Sequence, residues 1–158
     1  MKGQILANLR RQLGAVTLLE SLLAEEFSHL STRQPASVAS VEFSIQELLR
    51  QIAAERHSLH GLYAALDPKA KRLADLAGQL DEETREAARG LCEAIDKTEQ
   101  RSAKQASRNY AMALGLYDVT KESLDNLQKL MTPKKGVYGA RGRMASATPP
   151  PGMISGRL

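Results

Sequence analysis

Tryptophan is absent from this 158-residue chain, and aromatic residues of every kind make up only 4%. Leucine and alanine must therefore supply most of the core, as they do in bundles of closely spaced helices. Cysteine occurs once, at Cys92. That excludes an internal disulfide and a cysteine-cluster zinc site, and it fits a reducing cytoplasm. No uncharged run approaches the roughly 18 apolar residues that a membrane-spanning helix needs. Arg10, Arg11 and Glu20 break up the N-terminal segment, so it lacks the apolar core of a signal peptide. The expectation is a soluble, cytoplasmic protein without stable membrane insertion.

Acidic residues are also missing, but only from one end. None follows Met131, whereas Lys134, Lys135, Arg141, Arg143 and Arg157 all do. With five of the 22 cationic residues in that tail, 17 remain in residues 1–131 beside all 18 acidic ones. The net charge of +4 thus belongs to the tail. The expected division is a helical domain at 1–131 followed by a basic tail at 132–158. The tail holds five of the 11 glycines and four of the six prolines. Its scattered apolar residues show no period, so it cannot bury enough surface to offset its ordering entropy and is expected to be flexible and disordered when free.

Within the body, proline appears only at Pro35 and Pro68, and each falls between helical patterns, where it marks a boundary. The first pattern runs Ile5, Leu9, Leu13, Val16, Leu19, Leu23, Phe27 and Leu30, in steps of three and four that make one helical stripe. The second runs Val38, Val41, Ile45, Leu48, Ile52, Leu59, Leu62 and Leu66, with Glu55 interrupting it. Asp67-Pro68 reads as an N-cap and first helical position, opening a short connecting helix over 69–79. From Glu82 to Met131 there is no proline, and a helix of that length extends roughly 75 Å. Its stripe includes Ala88, Leu91, Cys92, Ile95, Ser102, Ala106 and Asn109. The face is small and polar from Lys97 to Asn109, so burial there should stabilise little, and bending or fraying is expected in that stretch. The fold class is all-α. It is expected to be an elongated, antiparallel coiled-coil-like bundle of three long helices, with the first two forming a hairpin joined at 32–37.

Catalytic chemistry finds little support. His57 and His60 stand three apart on one helix, but no nearby cysteine or H-E-x-x-H pattern makes a metal pair of them. They read more simply as a solvated face. Cys92 lies on the apolar stripe as a small hydrophobe, Asp81-Glu82-Glu83 suits a helix N-terminus, and no glycine loop cradles a phosphate. The expectation is a protein that is no enzyme and has no cofactor or metal.

The more informative pattern follows Asn109. Tyr110, Met112, Leu114, Leu116, Tyr117, Val119, Leu124, Leu127, Leu130 and Met131 together cover roughly 220° of the helix, well over the stripe one packed face requires. Either this helix lies between two neighbours and buries both strips, or one strip forms a groove for a partner's amphipathic helix, with Met and Tyr as adaptable contacts. Exposed strips would also allow two copies to pair when no partner is bound. In the tail, Tyr138 between glycines and cations is a natural aromatic anchor. Five charges over 27 residues with one aromatic are dilute for nucleic acid. A coiled-coil adaptor with a polyanion-binding tail nevertheless stays open as the alternative.

Taken together, the segment Leu19–Leu30, the asparagine at Asn109 followed by apolar residues, and above all Tyr138-Gly139-Ala140-Arg141-Gly142 resemble the FlgN family of flagellar export chaperones. Residues Asn109-Tyr110-Ala111 depart from the glycine that many members carry soon after the asparagine. The resemblance implies a helical bundle that keeps hook–filament junction proteins unassembled in the cytoplasm and presents them to the flagellar type III export gate. Residues 110–131 would then supply the client groove and Tyr138 would dock at the gate. A chaperone for another secretion substrate is the neighbouring possibility.

Overall fold

The computed structural model describes residues 2–76 and 78–132. Among them are three α-helices, α1 (Lys2–Ser31), α2 (Pro35–Leu66) and α3 (Glu82–Met131), and one 3-10 turn at Leu73–Leu76. The all-α helical bundle expected from the periodicity is what forms. By compactness the chain divides into two units, Met1–Gly115 and Leu116–Leu158. The first holds α1, α2, the 3-10 turn and α3 as far as Gly115. The described part of the second is the rest of α3, with Thr132.

Each boundary in the first unit has a local chemical cause. At the end of α1, Arg33 takes the left-handed conformation with φ 55°. The Gln34 N–H donates to the His29 carbonyl at 2.9 Å and the Arg33 N–H to the Leu30 carbonyl at 3.1 Å. This pair of bonds is the Schellman arrangement that satisfies the last carbonyls of a helix. Pro35 then opens α2, where its fixed φ and missing N–H cost nothing. Asp81 caps α3, accepting from the Thr84 N–H at 3.1 Å and its hydroxyl at 2.8 Å, while Lys2 donates to its other oxygen at 3.0 Å. These bonds hold the Asp81 carboxyl well below the usual carboxylate range, Lys2 contributing most.

The connecting helix expected over 69–79 is much shorter, a single 3-10 turn. Asp67 accepts from the Lys69 N–H at 2.9 Å, as a cap does. One oxygen of Asp75 accepts from the N–H groups of Lys71 and Arg72, each at 2.9 Å, donors that a longer helix would bond to carbonyls four residues back. Such local bonds compete with helix propagation. The two N–H groups also keep Asp75 ionised to lower pH than an ordinary aspartate.

The core lies where the three helices meet. It is built from Ile5, Leu9, Val16, Leu19 and Leu23 of α1, Val41, Ile45, Leu48, Ile52 and Tyr63 of α2, Ala70, Leu76 and Leu80 of the connection, and Ala88 and Ile95 of α3. Full burial of one such aliphatic side chain stabilises by about 1.5–3 kcal/mol. Leu13 and Phe27 of the α1 stripe are only partly buried. Cys92 packs against the same core and is half-buried. Burial pushes its thiol up in pKa, with Asp96 adding to the effect. Burial likewise pushes the Tyr63 phenol up to about 12.

Polar residues fix the register. The Arg11 guanidinium meets Glu55 at 2.8 and 2.9 Å, joining α1 to α2. Arg101 meets Glu20 at 2.7 and 3.1 Å, joining α3 to α1, and Arg56 pairs with Glu99, joining α2 to α3. The pairings 2 with 81, 20 with 101 and 23 with 109 rise together, so in this unit α3 runs parallel to α1 and antiparallel to α2. Glu55, which breaks the apolar stripe of α2, also accepts from the Asn8 amide at 2.6 Å. Asn8 in turn accepts from Gln12 at 2.6 Å, and both amides are buried. The guanidinium of Arg11, reinforced by Asn8, holds the Glu55 carboxyl below the usual glutamate range against a smaller opposing effect of burial.

Candidate functional site

Glu82 to Met131 forms one continuous helix, so of the bending or fraying expected between Lys97 and Asn109, fraying does not occur. That stretch is instead where α3 is pinned. Thr98, Ser102 and Asn109 are all buried. The Asn109 amide donates to the Leu23 carbonyl at 2.7 Å and to Glu26 at 2.6 Å, while its own carbonyl accepts from Gln105 at 2.9 Å. The partners of this amide lie more than eighty residues earlier in the chain, which is why apolar periodicity gives no hint of them.

After Asn109, α3 buries no further residue. Tyr110 and Leu114 in the first unit are exposed, and so are Tyr117, Val119, Leu124, Leu127, Leu130 and Met131 in the second, at 48% to 83% of their surface. Met112 and Leu116 are partly covered. Among the described residues, no neighbour buries both strips. Local hydroxyls are already satisfied within the helix. Thr120 donates to the Leu116 carbonyl at 2.8 Å and Ser123 to that of Val119 at 2.9 Å. Asp118, Glu122, Asp125 and Lys129 fall on the remaining arc at 100° per residue, and Lys121, between the directions of Tyr110 and Leu114, is the one charge on the edge of the apolar arc. A helix of this kind, apolar over most of its circumference and uncovered, has unspent capacity to bury surface against another protein.

Of the other candidates, His57 and His60 are both exposed, and the His60 ring stands edge-on to Tyr63 with centroids 6.3 Å apart. Among the described residues no group of three or more His, Cys, Asp or Glu side chains is placed to hold a metal ion. None of their helices is long and apolar enough to cross a membrane. Tyr138 and the rest of the expected tail from Pro133 onward lie outside the described residues.

Sequence reasoning missed two features. One is the buried amide group around Glu55; its signal was available, because Arg11 lies 22 residues before Arg33 and Glu55 lies 22 after it, which sets them opposite each other across the hairpin. The other is a gap lined by Ser102, Ala103 and Ala106, whose small side chains read only as weak packing.

A helical bundle with an uncovered apolar helix face belongs to the class of protein-binding modules. Comparison with family models narrows the class: the model described as FlgN protein matches residues 1–146. The chain belongs to the FlgN family and is a flagellar export chaperone. Comparison with curated proteins and with solved structures gives no match.

Proposed function

We propose that this chaperone holds hook–filament junction proteins unassembled in the cytoplasm and delivers them to the flagellar type III export gate. The observation that carries the reading is the exposed apolar arc of α3. Leu124, Leu127, Leu130 and Met131 are each more than half exposed, whereas the stripe leucines of α1 and α2 are buried or partly buried. An amphipathic client helix laid on that arc would bury apolar surface on both partners, the helix-in-groove mode of recognition. Tyr110, Met112, Leu114, Leu116, Tyr117, Val119, Leu124, Leu127, Leu130 and Met131 are the proposed client contacts, and Tyr138 is the proposed docking residue for the gate. The same apolar arc would let two copies associate when no client is present.

Calorimetric titration with the C-terminal helical segment of a junction protein tests this. The expected result is binding with a negative heat-capacity change, the mark of apolar burial, weakened at least tenfold by the pair Tyr117→Ala and Leu124→Ala with the thermal midpoint unchanged. Equal affinity for wild type and the pair would remove the arc as the client site. Steeply salt-dependent binding to polyanions, with no peptide binding, would favour the adaptor alternative. Tyr138→Ala should bind the peptide normally and impair export; normal motility in that mutant would sink its assignment.

A further inference from the structure

Ser102 is 4% exposed, and its hydroxyl has no hydrogen-bond partner among the described residues. Buried hydroxyls are ordinarily paired, and a helical serine can usually reach the carbonyl four residues back, as Thr98 does to Ala94 at 2.9 Å. Ser102 also lines a trough of about 380 Å³ within the first unit. The floor is Val16, Leu19 and Leu23 of α1. One wall is the α2 segment from Ile45 to Arg56, and the other is the α3 segment from Glu99 to Ala106. At 1.5 Å per residue these walls run about 10–16 Å, two to three helical turns. The fourth side is open, for Leu49 is 47% exposed and Ala103 and Ala106 are exposed as well. The only charged lining residues, Arg56 and Glu99, are paired with each other, so no free charge faces the trough.

We infer that this trough is a docking seat for two to three turns of an amphipathic helix from the bound partner, which completes a four-helix bundle with α1, α2 and α3. Three helices already line three sides, and the small side chains of α3 let a fourth backbone approach closely. The partner strip that fits is uncharged, with aliphatic residues in steps of three and four. The α3 wall also continues in that direction. Tyr110 follows Ala103 by seven residues and Leu114 by eleven, which returns both to the same side of the helix. Both are exposed and still within the first unit. The partner's identity as the client helix rests on the function proposed above.

The test uses the full chain and a synthetic peptide of a junction protein's C-terminal helix. Ala106→Leu fills the trough from an exposed position. It should weaken peptide binding at least tenfold while the thermal midpoint stays level or rises. In the wild-type chain, the methyl resonances of Ala103 and Ala106 should shift on adding peptide, a readout independent of how the variant folds. Wild-type affinity in Ala106→Leu, with those methyls unmoved, overturns the inference. If Leu124→Ala then loses the peptide, the client-binding reading survives without the trough. If the wild-type chain itself does not bind the peptide, both fall.

Discussion

From Glu82 to Asn109, α3 has one leucine and buries Ala88, Ile95, Thr98, Ser102 and Asn109; from Tyr110 to Met131 it has five leucines and buries nothing. Burial along this helix therefore does not follow hydrophobicity. It follows where partners are available, and in the first stretch those partners are largely polar: the Leu23 carbonyl, Glu26 and Glu20. The second stretch stays helical through strong helix formers and the absence of proline. A helix segment that keeps its apolar residues uncovered retains surface to bury against another protein, and on that the client site proposed above rests.

The comparison breaks most sharply with paired leucine truncations. Leu9→Ala, at a position 2% exposed, should cost about 2–5 kcal/mol, read as a large fall in the urea midpoint. Leu124→Ala should change stability by no more than about 0.5 kcal/mol; a loss like that of Leu9→Ala would mean the arc is core after all. Asn109→Ala should cost about 1–3 kcal/mol, because it strands polar groups that are buried beside it. A cost near zero would show that the pinning of α3 is incidental. Gly115→Ala sharpens the contrast, since an added methyl there meets nothing within 4 Å. It should stabilise the helix by about 0.5–1 kcal/mol, the usual gain over mid-helix glycine.

Glu55→Gln should have a small effect, about 0.2–1 kcal/mol as for exposed ion pairs, and a pH signature. In the folded chain the Glu55 carboxyl is held below its unfolded value of about 4.3 by Arg11. Its contribution is therefore fully present above that value and fades as pH falls through the lower folded one. Thermal midpoints of wild type and variant should converge as pH falls through that lower folded value; a gap that persists in stronger acid would assign the effect to packing.

Much of this was legible in advance. The α1 and α2 stripes, the turn near Arg33 and the start of α3 at Asp81 all rest on spacing and capping, which are local. The excess apolar arc after Asn109 was legible as a count of angular positions, though whether neighbours covered it was not. What remained hidden depends on groups distant in the chain. Asn109 looks like a weak point on its own helix and becomes a fastening only when Leu23 and Glu26 are brought beside it. Glu55 looks like a fault in the α2 stripe until Asn8 and Arg11 arrive. The connection at 69–79 failed differently, because helix propensity was outcompeted by Asp75 holding the N–H groups of Lys71 and Arg72.

Cys92 gives the molecule a built-in stopwatch. It is the chain's one thiol, half-buried against the core and raised in pKa by burial, so the closed bundle slows its alkylation without stopping it. A rise in its labelling rate over that of the closed bundle then reports the first half of α3 lifting away from the α1–α2 hairpin. Measured with and without a bound client, that single rate would tell whether loading tightens the bundle or loosens it for hand-over.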